Sequence, residues 1–298
     1  MQHIPKHTLS FIIQKVKTQK LKGVADAYLT TEIMQRINKN PSFLHLLHSS
    51  RTDKQLTHNT LFKEFIKDIR HTTFHAYGLF NTKKLEEKWT ILQQFKKKHI
   101  SPDTFLSLHQ QILHSHASTR ERMPYYDSLY NHLFALTGRP NTILDLGCGL
   151  NPVSLPYMHL SHITYYATDI GNDACAFLTQ YFTIAQKLLH VTGTSTILNL
   201  KTILTTPSLL SVFPAVDVCF MFKLSDVLDT HKHTITEKLI QTVNASWIIA
   251  SFSTETISKK RMQHPRRKWF ELMLHRLHYP FHTLQIPNEL FYIIHKHT

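Results

Sequence analysis

Two glycines and two carboxylates have the spacing of a nucleotide-cofactor site. Gly147 and Gly149 stand directly behind Asp145, in a chain that has only seven glycines. Glycine lets the backbone turn tightly and approach a ligand closely. Asp169 ends the next apolar run, where a carboxylate can accept both hydroxyls of a ribose. A strand-turn-helix without a ligand is the alternative. The strand, the glycines and the second acidic residue follow one another at the spacing of such a site, which favours a bound nucleotide-type cofactor.

The segments around this motif alternate between short apolar runs and helical patterns. The apolar runs are TILDL (142–146), HITYYATD (162–169), TILNL (196–200), AVDVCFMF (215–222), SWIIASF (246–252) and ELFYIIH (289–295). Buried strands that alternate with helices predict an α/β fold with a doubly wound, mostly parallel, Rossmann-like sheet. No helical pattern follows Phe281, which predicts an antiparallel final strand. Pro152 suits the first turn of the helix behind the glycines.

The N-terminal third has helical periodicity instead. Apolar residues recur there at positions i, i+3 and i+4, and the clearest stripe is Phe62, Phe65, Ile66 and Ile69. Such a stripe predicts a buried core, not a binding surface. We therefore predict two domains: a smaller, all-helical one over residues 1–110, and the sheet domain over 111–298.

The charge distribution indicates a polyanionic partner. The chain carries a net charge of +14. Residues 1–113 hold 18 Lys and Arg against 8 Asp and Glu, and residues 114–298 hold 16 against 12. Six of those 16 lie in KKRMQHPRRK (259–268). Lys and Arg bind phosphates and release counterions, although composition alone fits a generally basic protein equally well. The residues predicted to bind this polyanionic partner are Lys15, Lys17, Lys20, Lys22, Lys259, Lys260, Arg261, Arg266, Arg267 and Lys268.

Other patterns predict what the protein lacks. No apolar run approaches the roughly 18–20 residues of a membrane span, and the N-terminus does not read as a signal peptide. The three cysteines form no CxxC pair, and the 23 histidines show no metal-ligand spacing. We expect a cytoplasmic monomer without a metal site.

Two motifs together carry a family resemblance. The Asp-x-Gly-x-Gly form resembles that of S-adenosylmethionine-dependent methyltransferases, since Pro152 stands where a dinucleotide fingerprint has its third glycine. HASTRER (116–122) with LDLGCGLNP (144–152) resembles the aminoglycoside-resistance 16S rRNA methyltransferases of the Arm/Rmt family. The similarity continues through YYATDI (165–170), DVCFMFKLSDVLD (217–229), SFST (251–254) and NELFYII (288–294), and weakly through residues 20–37.

The resemblance implies a cofactor, a substrate and a biological role. The cofactor is S-adenosyl-L-methionine, and the substrate is the 16S rRNA of the 30S ribosomal subunit. The implied reaction methylates N7 of a guanine in the decoding site, which confers aminoglycoside resistance.

The resemblance also assigns roles to individual residues. His116, Thr119 and Arg122 lie near the methionine end of the cofactor, with Arg122 paired to its carboxylate. Without the resemblance, a helix-capping or surface pair is the preferred interpretation of His116 and Arg122. Phe222 and Lys223 lie beside the transferred methyl and are the catalytic candidates. The other implied cofactor-binding residues are Asp145, Gly147 and Gly149 at the strand end, Asp169 at the ribose, Ile170 at the adenine, and Asn199 and Leu200 at the adenine edge.

The chain departs from the family pattern on the side expected to face RNA. Ser253 replaces a proline, Glu255 replaces a basic residue, and Ser225 stands where the family helix begins with proline. The basic segment ISKKRMQHPRRK (257–268) replaces a glycine-rich loop. These changes bear on the target nucleotide more than on the cofactor.

The acceptor atom is constrained by what is missing. No Asn-Pro-Pro-Tyr sequence is present for an exocyclic amine, and Cys219 lies inside a buried strand, where it cannot serve as a nucleophile for cytosine C5. Guanine N7 has an in-plane lone pair, so positioning accounts for most of the catalysis once the base is extruded. Trp269 and Phe270 are candidates to hold that base, although each is more often a core residue.

Three other functions stay open at this point. The chain could methylate another rRNA or tRNA position, or a small molecule or protein. It could also be a non-catalytic RNA-binding protein with a methyltransferase fold. Intact Asp145, Gly147, Gly149 and Asp169 argue against the last of these.

Overall fold

The computed structural model describes residues 4–50, 52–78, 85–97, 99–229, 233–255, 260, 262–263 and 265–296. The chain forms two compact units. The N-terminal unit comprises Met1–Asn81 with Ile170–Asp173, and the larger unit comprises Thr82–Asp169 with Ala174–Thr298. Among the described residues, no helix is both long and apolar enough to cross a membrane.

The N-terminal unit is helical, as predicted. Its helices are α1 (Lys6–Val16), α2 (Asp26–Asn38), α3 (Pro41–Ser49), α4 (Asp53–His58) and α5 (Thr60–Thr73), and a π-helical turn follows over Phe74–Gly78. The predicted stripe on α5 is buried, and Phe43 stacks on Phe65 with ring centroids 3.8 Å apart. Asn40, Thr52 and Asn59 cap α3, α4 and α5 through side-chain oxygens.

The boundary between the units lies earlier in the chain than the predicted residue 110. Helices α6 (Leu85–Gln94) and α7 (Pro102–His114) come after it. Their apolar residues, among them Leu92 and Ile112, share one buried cluster with Ile143 and Phe177 of the larger unit. Helical periodicity alone cannot show which core a helix joins, so the sequence placed both helices in the wrong unit.

The larger unit contains one seven-stranded sheet. Its strands are β1 (Thr142–Leu146), β2 (Thr164–Asp169), β3 (Thr192–Ile197), β4 (Val216–Phe222), β5 (Ala245–Ser253), β6 (Phe281–Ile286) and β7 (Glu289–His295). The order is β3-β2-β1-β4-β5-β7-β6. Strands β1 to β5 pair in parallel, and β7 pairs antiparallel with both β5 and β6. The predicted doubly wound sheet and its antiparallel final strand are confirmed.

One strand is displaced from its predicted place. The sequence predicts a strand over 196–200, whereas β3 is Thr192–Ile197 and a 3₁₀ turn occupies Leu200–Leu204. β3 is an edge strand whose residues are mostly exposed, so it has no apolar run that marks it.

Helices pack on the sheet, and residues on both faces of the sheet are buried. The remaining helices are α8 (Ala117–Arg122), α9 (Tyr126–Thr137), α10 (Leu155–Met158), α11 (Asn172–Leu188), α12 (Ser225–Leu228), α13 (Thr234–Thr242) and α14 (Lys268–Arg276). Neighbours Ile143 and Leu144 of β1 belong to two different buried clusters, because successive residues of a strand point to opposite faces. The ends of β1, β2 and β4 thus meet between two packed layers, at the edge where ligands bind in sheets of this kind.

Candidate cofactor site and active site

The turn after β1 requires glycine at both predicted positions. Gly147 has φ 64° and Gly149 has φ 54°, a region that other L-residues rarely adopt. A Cβ at Gly147 would lie 2.6 Å from Cδ1 of Leu224, and one at Gly149 would lie 2.9 Å from the His116 ring. The turn is therefore both left-handed and closely packed.

Backbone hydrogen bonds join this turn to the end of β2. The Gly149 N–H donates to Oδ2 of Asp169 at 3.0 Å, and the Cys148 N–H donates to the Thr168 carbonyl at 2.8 Å. Asp169 is buried. The structure thus brings the predicted ribose-binding carboxylate against the predicted glycine turn.

The two carboxylate oxygens of Asp145, the last but one residue of β1, differ in their hydrogen bonding. Its Oδ2 accepts from the Tyr165 hydroxyl at 2.7 Å and from Nδ2 of Asn151 at 2.9 Å. Its Oδ1 is buried and has no hydrogen-bond partner in the described part of the chain. Burial raises the pKa of this carboxyl to about 6. An unused buried acceptor in this position suits a cationic ligand.

Arg122 is a buried residue, not the surface residue of the alternative interpretation. Its side chain is 2% exposed. Nε donates to Oε2 of Glu289 at 2.8 Å, Nη1 donates to Oδ1 of Asn151 at 3.2 Å, and the guanidinium lies 4.9 Å from the centroid of the Phe222 ring. Protein contacts therefore fix the guanidinium of Arg122. The resemblance implies that this group binds the cofactor carboxylate.

Lys223 occupies an unusual backbone conformation directly after β4. Its φ is 52°, which is uncommon for a residue other than glycine, and its N–H donates to Oγ of Ser251 at 2.9 Å. Its ammonium lies 2.7 Å from Oε2 of Glu121 and 3.5 Å from Oε2 of Glu289. Two carboxylates therefore fix the side chain of this catalytic candidate.

Glu289 connects the two predicted cations. It is fully buried, its Oε2 faces Arg122 and Lys223, and its Oε1 accepts a short hydrogen bond from the Ser251 hydroxyl. Sequence reasoning assigned no role to Glu289, although it is an acidic residue that opens an otherwise apolar strand. Functional candidates without a sequence assignment are Glu289, Glu121, Asn151, Tyr165 and Ser251.

His116 and Thr119 lie at the junction of α7 and α8. His116 is the residue before α8 and is buried. Burial, with Lys88 and Arg122 acting in the same direction, lowers the pKa of its imidazole to about 3, so the ring is neutral at physiological pH. The Thr119 hydroxyl donates to the carbonyls of Leu113 and His116, which ties the two helices together.

The predicted adenine-edge residues follow β3. The Leu198 N–H donates to the Asp169 carbonyl at 2.9 Å, which joins this segment to the end of β2. Oδ1 of Asn199 accepts from the Lys201 N–H at 3.1 Å, and its Nδ2 is buried without a partner in the described residues. Leu200 is buried. Ile170, the residue predicted to contact the adenine, is partly buried and packs against the core of the N-terminal unit.

The first basic group lies in the N-terminal unit. Lys15, Lys20 and Lys22 are exposed, whereas Lys17 forms a 2.5 Å ion pair with Asp26. Three of these four lysines thus have solvent-facing side chains.

The second basic group is less uniform than predicted. Lys259 and Arg261 lie outside the described residues, and Lys260 and Lys268 are exposed. Arg266 pairs with Glu271 at 2.7 Å. Arg267 is only 13% exposed, and its guanidinium binds Asp226 and the Ser253 carbonyl, so it is held inside the protein.

The two aromatic candidates next to this group also differ. Phe270 is fully buried, so it cannot hold an extruded base. Trp269 is partly buried and stacks on His233 with ring centroids 3.6 Å apart. In the described residues, no cluster of three or more His, Cys, Asp or Glu side chains could hold a metal ion.

The strand order, the glycine turn and the two strand-end carboxylates define an α/β protein with a candidate nucleotide-cofactor site at the carboxyl ends of its strands. A family model described as Ribosomal RNA methyltransferase (FmrO) matches residues 71–293, about three quarters of the chain, and the chain belongs to this family. The predicted family resemblance is confirmed.

Individual relatives agree with this family. The 16S rRNA (guanine(1405)-N(7))-methyltransferase of Micromonospora rosea is 33% identical over 184 residues, which are 61% of this chain and 63% of that protein. The chain thus spans less than two thirds of the length of this curated relative. The solved structure of the 16S rRNA methylase RmtB superposes with a TM-score of 0.69 at 20% identity, over 98% of this chain and 100% of that chain. The solved structure of the 16S rRNA methylase ArmA superposes with a TM-score of 0.52 at 26% identity, over 70% of this chain and 98% of that chain.

Proposed function

We propose that this protein is an S-adenosylmethionine-dependent methyltransferase that methylates N7 of a guanine in the decoding site of 16S rRNA. Its substrate is the assembled 30S subunit, it acts as a cytoplasmic monomer, and the modification confers aminoglycoside resistance. The observation that carries the proposal is the left-handed glycine turn after β1, whose Gly149 N–H binds Asp169, in a chain of a ribosomal RNA methyltransferase family. The Micromonospora rosea relative is named for the same reaction class.

The residues at the strand ends fit S-adenosylmethionine. Asp169 would accept the ribose hydroxyls, and Asp145 Oδ1 would accept from the methionine ammonium, which supplies the donor that this buried oxygen lacks. Asn199 Nδ2, a buried donor without a partner in the described residues, would reach an acceptor nitrogen of the adenine. Arg122 donates from Nε to Glu289 and from Nη1 to Asn151, and its Nη2 would donate to the methionine carboxylate.

The chemistry requires positioning more than proton transfer. When bound, the cofactor supplies an electrophilic methyl group. Guanine N7 would form the new N–C bond with its lone pair while the bond between the methyl carbon and the cofactor sulfur breaks, which leaves the sulfur as a thioether. N7 carries no proton, so no residue must act as a base. Lys223, held by Glu121 and Glu289, is a cation that would donate to guanine O6, the acceptor next to N7. Holding N7 in line with the methyl group is the contribution we assign to Lys223 and Phe222.

Methyl incorporation into two forms of the substrate tests this function. The purified protein is incubated with S-adenosylmethionine labelled in its methyl group and with either 30S subunits or protein-free 16S rRNA. We expect one N7-methylguanine per 30S subunit, mapped by mass spectrometry to the decoding site, and far less label in free rRNA. RNA surfaces of this kind are recognised by shape as well as by charge. Equal labelling of both would contradict docking on the assembled subunit.

Asp169→Ala is expected to weaken S-adenosylmethionine binding by about 1.5–3 kcal/mol, the range for hydrogen bonds to a charged group. The dissociation constant from a calorimetric titration then rises about 10- to 150-fold. The matched control is Asp127→Ala, which removes an exposed carboxylate paired with His159 and should leave the affinity unchanged. A folded Asp169→Ala variant with the parent affinity would refute the ribose assignment.

A further inference from the structure

The four residues that follow Asp169 in the chain belong to the N-terminal unit. The Ala25 N–H donates to the Ile170 carbonyl at 2.9 Å, and the Asn172 N–H donates to the Gly23 carbonyl at 2.7 Å. Between these bonds, Val24 and Gly171 form an isolated antiparallel bridge. Segments 23–25 and 170–172 are therefore joined by one antiparallel bridge and two backbone hydrogen bonds, directly before α11 continues from Asn172.

Side chains pack closely around this bridge. A Cβ at Gly171 would lie 2.5 Å from Cε2 of Tyr77, and a Cβ at Gly23 would overlap the carboxylate of Asp173. The Tyr77 hydroxyl donates a short hydrogen bond to Oδ1 of Asp173. At two of the seven glycines of the chain, an added Cβ would thus force the Asp173 carboxylate or the Tyr77 ring to move. Tyr77 itself lies in the π-helical turn Phe74–Gly78, an irregularity that is frequent at functional sites.

Asp169 directly precedes the bridged segment in the chain. Consecutive Cα atoms are about 3.8 Å apart, so fixing Ile170 also confines the residue before it. Ile170 packs against the core of the N-terminal unit, and the carboxylate of Asp169 accepts from Gly149. A shift of segment 170–173 would therefore displace the carboxylate that is proposed to hold the ribose.

We propose that Gly23, Tyr77, Gly171 and Asp173 are positioning residues for the cofactor. Through them, the N-terminal unit fixes the segment behind Asp169 and so raises the affinity for S-adenosylmethionine. The N-terminal unit then contributes to cofactor binding separately from its exposed lysines. This inference rests on the proposed cofactor function.

Calorimetric titration of the full-length variants with S-adenosylmethionine tests the inference. Tyr77→Phe removes only the hydroxyl, and Gly171→Ala adds only the Cβ that meets the Tyr77 ring. The first change removes a hydrogen bond to a charged group, and the second displaces the Tyr77 ring. Because both changes reach Asp169 only indirectly, we expect each to raise the dissociation constant about three- to tenfold. With 30S subunits as substrate, KM for the cofactor should rise and kcat at saturation should not.

A control separates positioning from general destabilisation. Ile33→Val deletes one methylene from the core of the N-terminal unit, where Ile33 is fully buried. It should lower the melting temperature and leave the dissociation constant unchanged. If Tyr77→Phe and Gly171→Ala bind the cofactor like the parent, or if Ile33→Val weakens binding equally, the inference is wrong. A parent protein that does not bind S-adenosylmethionine would instead overturn the proposed function.

Discussion

Glu289→Ala is expected to lower the free energy of unfolding by about 3–5 kcal/mol, the range for removing one partner of a buried ion pair. Glu289 is fully buried, and the Arg122 side chain that it binds at 2.8 Å is 2% exposed. Lys223 lies 3.5 Å from the same oxygen. Removal of the carboxylate leaves the guanidinium without its counter-charge and the Ser251 hydroxyl without its acceptor. Urea denaturation of the variant and the parent measures the difference.

A surface ion pair of similar length provides the control. Glu237 and Arg276 are 2.7 Å apart, but their side chains are 25% and 64% exposed. Glu237→Ala should lower the free energy of unfolding by less than about 1 kcal/mol, because water screens the pair. Equal, small losses in both variants would show that water reaches Glu289. The assigned charge network would then be wrong.

The local geometry of the candidate cofactor site could be predicted from the sequence. A glycine turn is a property of a few consecutive residues, and Gly147 and Gly149 adopt the left-handed conformation that only glycine takes readily. Asp169 follows from the parallel sheet, because the carboxyl ends of neighbouring parallel strands lie side by side. Both predictions needed only the order of strands and turns.

The charge network could not be predicted in this way. Arg122 and Glu289 are 167 residues apart in the sequence, and they meet only because β7 inserts antiparallel between β5 and β6. The strand register decides which residue of β7 enters the site, and a shift of one residue turns every side chain to the other face. Charge counting has the same limit. The local charge predicted that Arg267 binds RNA, whereas in the structure its guanidinium pairs with Asp226 and donates to the Ser253 carbonyl.

The second large effect is expected for RNA docking. The Lys15/Lys17/Lys20/Lys22→Ala variant should bind 30S subunits more weakly and with a flatter salt dependence. Each phosphate contact contributes about 0.7–0.9 to the slope of log affinity against log salt concentration. Lys17 is paired with Asp26, and the other three lysines are exposed. The variant therefore removes three or four expected phosphate contacts. The slope should then decrease by about 2 to 3.6. Cofactor affinity should not change.

The competing explanation is that any four positive charges of the N-terminal unit have this effect. Lys39, Lys54, Lys63 and Lys67 are also exposed in that unit, so their fourfold alanine variant removes the same charge from the α2–α5 region. Long-range attraction depends on net charge and would weaken equally in both variants. Phosphate contacts would be lost only in the first variant, because counterion release requires a lysine at the phosphate. Binding across 50–300 mM salt therefore separates a docking face from a solvated basic surface. Matching slopes for the first variant and the parent would mean that Lys15, Lys17, Lys20 and Lys22 do not touch the ribosome.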